Sequence, residues 1–243
     1  MTILVIGESC VDIFQYGDCK RLCPEAPVPV FNPTIKIENG GMAFNVYRNL
    51  QALDVDCLLR TNDNHREITK TRFIDEKTNH MFMRLDINDQ SYKRDNIKNI
   101  DFSQYDAIIV SDYNKGFLLE EDIDHIGKNH NCVFLDTKKI LGPWCKNINY
   151  IKINLDEYEK TKHNLDKEIL NKLIITMGPA GAKFNDITYS VPKVEIKDTS
   201  GAGDTFIAAC TSEFIKTKNI EKSIKFGNIC ATTVVQKMGV VTI

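Results

Sequence analysis

The 243-residue sequence has almost no net charge and no block of basic residues, and these absences exclude several kinds of partner. Its 31 Lys and Arg residues are balanced by 33 Asp and Glu residues, which leaves a net charge of −2. Proteins whose main task is to bind nucleic acid or an anionic membrane carry a basic face. We therefore expect neither nucleic acid nor a membrane as a partner.

Long apolar segments and paired cysteines are also missing. The apolar run at residues 3–6 is far shorter than a membrane helix or a secretory signal requires. The eight cysteines are scattered, with no C-x-x-C pair and no histidine at metal-ligand spacing. Neither a zinc site nor a disulfide framework is expected from this pattern. We expect a cytoplasmic protein with free thiols.

The sequence does contain a regular alternation of short apolar runs and helical patterns. Helices are predicted over residues 42–53 and 118–127, and again over 205–217 and 220–237. Buried strands that alternate with helices predict an α/β fold with a mostly parallel sheet covered on both faces. The runs that predict these strands are residues 3–6, 55–59, 107–110, 132–135, 150–153 and 173–176.

Two segments depart from this alternation and predict a small separate sheet. Residues 28–37 alternate with a period of two, as a half-exposed strand does. Residues 69–75 and 79–85 predict a hairpin. We expect these strands to form a β lid, inserted at about 13–37 and 69–86 in a single domain of residues 1–243. Exposed strands invite pairing with another chain, so a homodimer through the lid is predicted.

The most informative stretch is Asp-Thr-Ser-Gly-Ala-Gly-Asp-Thr-Phe at residues 198–206. The amides of Gly201, Ala202 and Gly203, at the start of a predicted helix, would form an anion-binding nest. Asp204, directly behind them, could accept the proton of a hydroxyl that attacks a bound phosphoryl group. The alternative is a capped turn in which Asp204 only complements the helix dipole.

The complete stretch resembles the D-T-x-G-A-G-D signature of the ribokinase-like (PfkB) carbohydrate kinases. The resemblance implies a ribokinase-like three-layer sandwich, with a mostly parallel central sheet flanked by helices and a small β lid. It implies that Asp204 is the catalytic base and that the amides of Gly201, Ala202 and Gly203 form the anion hole. ATP and Mg²⁺ are the implied cofactors, and a monovalent cation such as K⁺ is a further candidate.

Two signatures near the N-terminus extend the resemblance to the sugar site. The string Gly-Glu-Ser-Cys-Val-Asp, which ends at Asp12, is similar to the family's G-[DE]-x-x-x-D element. By this resemblance Asp12 holds sugar hydroxyls. Gly40, Gly41 and Asn45 match a G-G-x-x-x-N signature, which implies close approach of the substrate to the backbone and an amide that binds a polyol. A turn acid and a glycine turn before a helix are the alternative interpretations.

Later elements resemble the family's nucleotide site. Asn154 and Glu157 match an N-x-x-E motif, which implies contact with the nucleotide phosphates and, for Glu157, with Mg²⁺ through water. A helix cap is the alternative. The family often has a basic residue at the strand end where Lys138 stands, although Lys139 is beside it. The remaining implied nucleotide-binding positions are Thr176, Gly178, Gly181, Asn228 and the apolar residues of 191–196.

Two further strings are similar to heptose 7-phosphate kinases, which form the kinase half of bifunctional ADP-heptose synthases. They are Arg-Leu-Cys-Pro-Glu-Ala-Pro-Val-Pro from Arg21 onwards and Ser-Asp-Tyr-Asn-Lys-Gly around Lys115. The resemblance implies transfer of the γ-phosphate of ATP to the anomeric hydroxyl of D-glycero-D-manno-heptose 7-phosphate, with Lys115 among the substrate-binding residues. Arg21, Arg72, Arg84 and Lys115 are all candidates for binding the substrate's own phosphate.

The sequence departs from the family in three places. The segment between Arg60 and Thr69 is shorter than usual, and the bulky Phe44 and Tyr47 stand where small residues are common. No nucleotidyltransferase half follows the kinase motifs, so we expect no such domain. A kinase for another sugar or sugar phosphate, similar to fructokinase or ribokinase, is therefore one alternative. A non-catalytic relative that binds nucleotide or sugar is another, and the intact base argues against it.

Overall fold

The computed structural model describes residues 1–89 and 97–243, in which two β-sheets and six α-helices are formed. The strands are β1 (Thr2–Gly7), β2 (Val11–Leu22), β3 (Pro29–Asn39), β4 (Asp56–Arg60), β5 (Thr69–Asp75), β6 (Met81–Ile87), β7 (Ala107–Asp112), β8 (Val133–Thr137), β9 (Tyr150–Asn154), β10 (Leu173–Thr176), β11 (Ala182–Phe184) and β12 (Ile187–Tyr189). The helices are α1 (Gly41–Ala52), α2 (Glu120–Asn129), α3 (Leu155–Thr161), α4 (Lys167–Leu170), α5 (Ala202–Thr217) and α6 (Ile220–Val234). Single 3-10 turns span His65–Glu67, Ile97–Asn99, Phe102–Gln104, Pro143–Cys145, Lys162–Asn164 and Gly178–Ala180.

The large sheet has the strand order β12-β11-β10-β9-β8-β7-β1-β4. Strands from β10 to β4 run parallel, whereas β11 and β12 form an antiparallel hairpin at one edge. Its apolar strands are buried on both faces, as parallel strands require. Ile3 and Val5 face the layer of α1, α5 and α6, while Leu4 and Ile6 face the layer of α2 to α4. The predicted three-layer α/β architecture is confirmed.

The predicted elements agree with the structure except at their ends. The helix predicted over 205–217 begins earlier, at Ala202, and the one predicted over 220–237 ends at Val234. The helix predicted over 118–127 is displaced by two residues at each end. No helix in residues 1–89 and 97–243 is both long enough and apolar enough to cross a membrane.

The small sheet has the order β3-β2-β5-β6 and forms the predicted lid. Its strands begin at Val11 and end at Ile87, slightly beyond the predicted insertions. The 12-residue strand β2 is a strand that the sequence pattern did not reveal, and it pairs in parallel with β5. Phe14, Tyr16 and Ile74 form a small core on one face of the lid, against Val240.

The short segment after β4 connects the large sheet directly to the lid. Strand β4 is the edge strand of the sheet, and one 3-10 turn leads from it to β5. Asn62 in this connection is fully buried, and its Oδ1 accepts a hydrogen bond of 2.8 Å from the backbone of Ser9. The connection is thereby fastened to the loop that follows β1, which anchors the lid beside the carboxyl ends of the central strands.

Candidate active site

A cleft of about 860 Å³ opens at the carboxyl ends of the parallel strands, where ligands bind in open α/β sheets. Gly201, Ala202, Gly203 and Asp204 line one side of it. The predicted nucleotide-binding residues that also line it are Lys138, Asn154, Thr176, Gly178, Gly181, Asn228 and residues 191–194 with Ile196. The structure therefore places these residues around one cavity, although they come from separate parts of the chain.

The start of α5 presents backbone N–H groups to this cleft. Gly201 precedes the helix with a φ of +77°, and no side chain caps the helix. A Cβ atom at Gly201 would lie 2.6 Å from Nδ2 of Asn45, so only glycine fits there. The amide of Ala202 makes a long turn contact of 3.3 Å with the carbonyl of Thr199. An uncapped helix start with positive φ before it is well suited to bind an anion.

Asp204 lies in the first turn of α5 and is 5% exposed. Its carboxylate accepts hydrogen bonds from Asn45 Nδ2 at 2.9 Å and from the hydroxyl of Tyr113 at 3.1 Å. Burial raises the pKa of Asp204 to about 6, while these two hydrogen bonds and the ammonium of Lys152 oppose the increase. A carboxylate with this pKa is ionised at neutral pH and is still basic enough to accept a hydroxyl proton.

Lys152 is a site residue that the sequence analysis missed. It lies on β9, its side chain is 5% exposed, and its Nζ is 2.7 Å from Oδ2 of Asp136. A Cβ atom at Gly203 would lie 2.8 Å from Nζ, so the ammonium lies against the backbone of the predicted anion hole. The sequence signal that could have identified it is a lysine within the apolar run 150–153. A buried charge is costly unless it is paired or binds a ligand, so a lysine in a buried strand indicates a functional residue.

The two neighbouring lysines after β8 have different environments. The side chain of Lys139 is 9% exposed, and its Nζ lies 2.8 Å from the carboxylate of Asp112. Lys138 lines the cleft, pairs with Glu157 and lies 5.5 Å from the ring centre of Tyr113. Only Lys138 of the two is therefore placed to reach a ligand in the cleft.

Asn154 and Glu157 form a reciprocal helix cap at the start of α3. Asn154 Oδ1 accepts from the Glu157 amide, and Glu157 Oε2 accepts from the Asn154 amide, both at 2.8 Å. Asn154 lines the cleft, whereas Glu157 lies behind Lys138. Within residues 1–89 and 97–243, no group of three potential ligands could hold a metal ion alone.

The predicted sugar residues lie on the lid strand β2 and at the start of α1. Asp12 is 6% exposed and pairs with Arg72, whose guanidinium lies 4.8 Å from the centre of the Phe14 ring. Burial raises the pKa of Asp12, and the charge of Arg72 opposes this. Gly41 has a φ of +56°, and a Cβ atom there would lie 2.8 Å from Sγ of Cys10. The carboxylate is thus held between the lid and the glycine turn.

The bulky Phe44 explains one of the two glycines. A Cβ atom at Gly40 would lie 2.3 Å from the Phe44 ring, which is half-buried and 5.9 Å from the ring of Tyr47. We predicted that both glycines allow the substrate to approach the backbone. The contact with Phe44 is a second explanation for Gly40, because it requires a glycine there even without a substrate. Asn45 is fixed by its contacts with Asp204 and with Asn49, whose Nδ2 donates to the carbonyl of Asn45 at 2.9 Å.

The motif around Lys115 forms a loop that is held by a buried acid. Glu8 is completely buried, and its carboxylate accepts from the amides of Tyr113 at 2.7 Å and Lys115 at 3.0 Å. This contact places the Tyr113 hydroxyl on Asp204. Sequence reasoning assigned a role only to Lys115, because nothing local in the string predicts that Tyr113 reaches a residue 91 positions away.

Tyr113→Phe is expected to move the acid limb of the kcat/KM profile to higher pH by about one pH unit. In its predicted role as the base, Asp204 must be ionised to accept a proton, so the rate is expected to rise as the pH increases through its pKa, near 6 in the free protein. Removing a hydrogen bond to the carboxylate disfavours the ionised form and raises that pKa. Tyr47→Phe is the matched control, because it removes a tyrosine hydroxyl that contacts Gln51 and not Asp204. An unchanged limb in Tyr113→Phe would mean that this hydroxyl does not bond to the working base.

The comparison with protein families agrees with this site. The family model described as "pfkB family carbohydrate kinase" matches residues 47–243. The chain therefore belongs to the pfkB family of carbohydrate kinases.

Individual curated proteins are similar to almost the whole of this chain. The protein named bifunctional protein HldE of Sulfurimonas denitrificans is 30% identical over 295 residues, which cover 99% of this chain and 62% of that protein. HldE of Helicobacter pylori J99 is also 30% identical, over 98% of this chain and 63% of its own length. HldE of Nitratiruptor is 27% identical, over 99% and 62%. The chain thus spans about three fifths of the length of these curated relatives.

Solved structures with low sequence identity share the fold. Ribokinase from Thermotoga maritima superposes with a TM-score of 0.73 at 18% identity, covering 99% of this chain and 94% of that one. Phosphofructokinase-2 from Escherichia coli, in complex with fructose-6-phosphate, gives 0.71 at 15% identity, covering 96% and 93%. The ribokinase-like fold is confirmed by these similarities.

Proposed function

We propose that the chain transfers the γ-phosphate of ATP to the anomeric hydroxyl of D-glycero-D-manno-heptose 7-phosphate. The observation that carries this proposal is the buried Asp204 in the first turn of an uncapped helix, with a lysine-lined cleft on one side and, on the other, a lid whose strands carry Lys70 and Arg72. The similarity to HldE proteins and the motif around Lys115 support the choice of acceptor. A cytoplasmic location is part of the proposal, because the reaction uses ATP and all eight cysteines are free thiols.

In the proposed reaction the nucleotide occupies the cleft, with its terminal phosphate at the start of α5. The amides of Gly201, Ala202 and Gly203 and the ammonium of Lys152 stabilise the negative charge of the transferring group. Asp204 accepts the proton of the anomeric hydroxyl as its oxygen bonds to phosphorus and the bond to ADP breaks. Lys138 binds phosphate oxygens at the cleft wall.

The role of Mg²⁺ in this proposal is limited to charge neutralisation on the ATP phosphates. Glu157 would contact such an ion through water, from its position beside Lys138. Asn154 lines the cleft at the same point and would orient the phosphates. Dependence on a monovalent cation such as K⁺ is a further part of the proposal.

On the acceptor side, Asp12 would bind sugar hydroxyls and Asn45 would position Asp204. Asp12 lies on the lid strand β2, the adjacent strand β5 contributes Arg72, and β6, next to β5, contributes Arg84. Arg21, another candidate, lies at the far end of β2 in an exposed position. The charged face of the lid suits a sugar that carries a phosphate better than a neutral sugar.

The acceptor is tested by ATP consumption with Mg²⁺ over a small panel of compounds. The panel contains heptose 7-phosphate, fructose 6-phosphate, ribose, fructose and adenosine, each with K⁺ and with tetramethylammonium in its place. We expect turnover of the heptose phosphate well above the others. Preferred turnover of another compound would correct the acceptor, and ATP binding without turnover of any of them would contradict the proposed function.

The lid is proposed to form a homodimer contact. Met81, Met83, Leu85 and Ile87 on β6 are between 43% and 54% exposed, and the strand lies at the edge of the small sheet. Exposed apolar edge strands are normally covered or paired. Sedimentation equilibrium is expected to give a dimer at micromolar concentration, and Leu85→Lys should shift it towards the monomer. A wild-type monomer at this concentration would contradict the proposal.

A further inference from the structure

Two lysines from different parts of the chain converge on the carboxylate of Asp89. Lys70, on the lid strand β5, contacts Oδ1 of Asp89 and lies 3.6 Å from Asp86. Lys115, in the loop after β7, places its Nζ 2.6 Å from Oδ2 of Asp89. The Lys70 side chain is only 8% exposed, so its ammonium has lost most of its contact with bulk water. The carboxylate therefore occupies a two-lysine anion site between the lid and the large sheet.

This anion site lies on the acceptor side of Asp204. Lys70 is the register partner of Asp12 on the adjacent strand, so both side chains are on the same face of the lid. Lys115 is two residues from Tyr113, whose hydroxyl contacts Asp204. Neither lysine lines the cleft proposed to hold ATP.

The charges of this region are unequally compensated. Arg84 makes two hydrogen bonds with Asp86, at 2.7 and 2.8 Å, and Arg72 pairs with Asp12. Among the described residues, Lys115 instead pairs with Asp89 alone, and Lys70 contacts Asp89 and lies 3.6 Å from Asp86, which Arg84 already binds. A phosphate dianion would satisfy two ammonium groups better than one carboxylate does, because it offers more charge and three acceptor oxygens.

We propose that Lys70 and Lys115 bind the phosphate that the acceptor already carries, and that Asp89 occupies their site until the acceptor enters. The proposal rests on the proposed function in one respect, namely that the acceptor is a sugar phosphate. Asp89 competes with that phosphate, so it lowers the apparent affinity for acceptors that carry a phosphate, and the more so the more it occupies the site. A neutral sugar has no group that binds the two ammonium groups and therefore gains nothing from this site, which gives the site its selectivity.

Steady-state kinetics of three variants test this proposal. Lys115→Gln is expected to raise KM for the sugar phosphate about 10- to 100-fold, the value of a charged hydrogen bond, with little change in KM for ATP. Asp89→Asn is expected to lower that KM about 5- to 10-fold, because the competing anion is removed. Lys36→Gln is the control for the loss of one positive charge, because Lys36 is an exposed lysine on the lid strand β3. Equal effects of Lys115→Gln and Lys36→Gln would overturn the proposal, as would an Asp89→Asn variant with increased KM.

Binding of inorganic phosphate separates this proposal from the identity of the acceptor. Calorimetry is carried out with the non-hydrolysable analogue AMP-PNP and Mg²⁺ present, so that the ATP cleft is filled. Asp89→Asn is expected to bind phosphate more tightly than the wild type, and Asp89→Asn with Lys115→Gln is expected to lose this gain. This pattern without turnover of any sugar phosphate would sustain the anion site and refute the acceptor. Turnover of the heptose phosphate with no phosphate binding by Asp89→Asn would refute the anion site alone.

Discussion

Asp204→Asn is expected to lower kcat by about 10²- to 10⁴-fold, the usual contribution of a positioned general base. The amide has the same shape as the carboxylate and can keep both neighbours. Its oxygen would accept from Asn45 and its nitrogen would donate to the hydroxyl of Tyr113. ATP binding, measured by calorimetry, should stay close to that of the wild type. Near-normal turnover would remove Asp204 from the role of base.

The same variant is expected to be at least as stable as the wild type at pH 7.5. Burial raises the pKa of Asp204 from an ordinary 3.8 to about 6, so the folded protein binds more protons than the unfolded chain between these values. The contribution of Asp204 to stability therefore decreases as the pH rises from about 4 to 6 and does not return above that range. The amide has no such penalty. A clear loss of melting temperature in Asp204→Asn at pH 7.5 would show that the site needs the charged form.

Lys152→Met is expected to destabilise the fold by about 3–5 kcal/mol and to weaken ATP binding. Asp136 is 4% exposed, and Lys152 is the partner of its Oδ2, while its Oδ1 has no hydrogen-bond partner among the described residues. Removing the ammonium leaves a buried negative charge without compensation. Chemical denaturation measures the stability, and calorimetry with ATP measures the binding. Wild-type stability in this variant would mean that the pair is not buried in solution.

Adding Asp136→Asn separates the structural role of Lys152 from its role toward phosphate. The double variant buries no unpaired charge, so much of the stability should return. The ammonium beside Gly203 is still absent, and turnover should stay low, by about 10²-fold or more, as expected for a lost charge at the transferring phosphoryl group. Recovery of full activity together with stability would contradict the assignment of Lys152 to the nucleotide phosphates.

Local patterns in the sequence predicted the architecture and the helix start at residues 198–206. The core strands have no polar face, and Gly-Ala-Gly before an acid has few structural uses. The contacts of Asp204 could not be predicted in this way, because Asn45 is 159 positions away and Tyr113 is 91 positions away. Their positions depend on how α1 and β7 pack against α5.

The charged residues of the lid show a second limit of sequence reasoning. A lysine such as Lys70, in the string Thr-Lys-Thr-Arg, could equally be a solvated charge on a hairpin. Its burial follows from the parallel pairing of β5 with β2, and β2 itself has no clear alternating pattern because both polar and apolar residues face the large sheet. Likewise, Asp89 becomes relevant only when the lid brings it to Lys115.

The most direct test of the account is phosphorus NMR of the enzyme with ATP, Mg²⁺ and heptose 7-phosphate. Transfer to the anomeric hydroxyl predicts ADP together with a new phosphate ester resonance that is split by the anomeric proton, and neither product with Asp204→Asn over the same time. Release of inorganic phosphate without the new ester would indicate hydrolysis rather than transfer. A phosphate ester at another carbon would contradict the proposed position of the anomeric hydroxyl at Asp204.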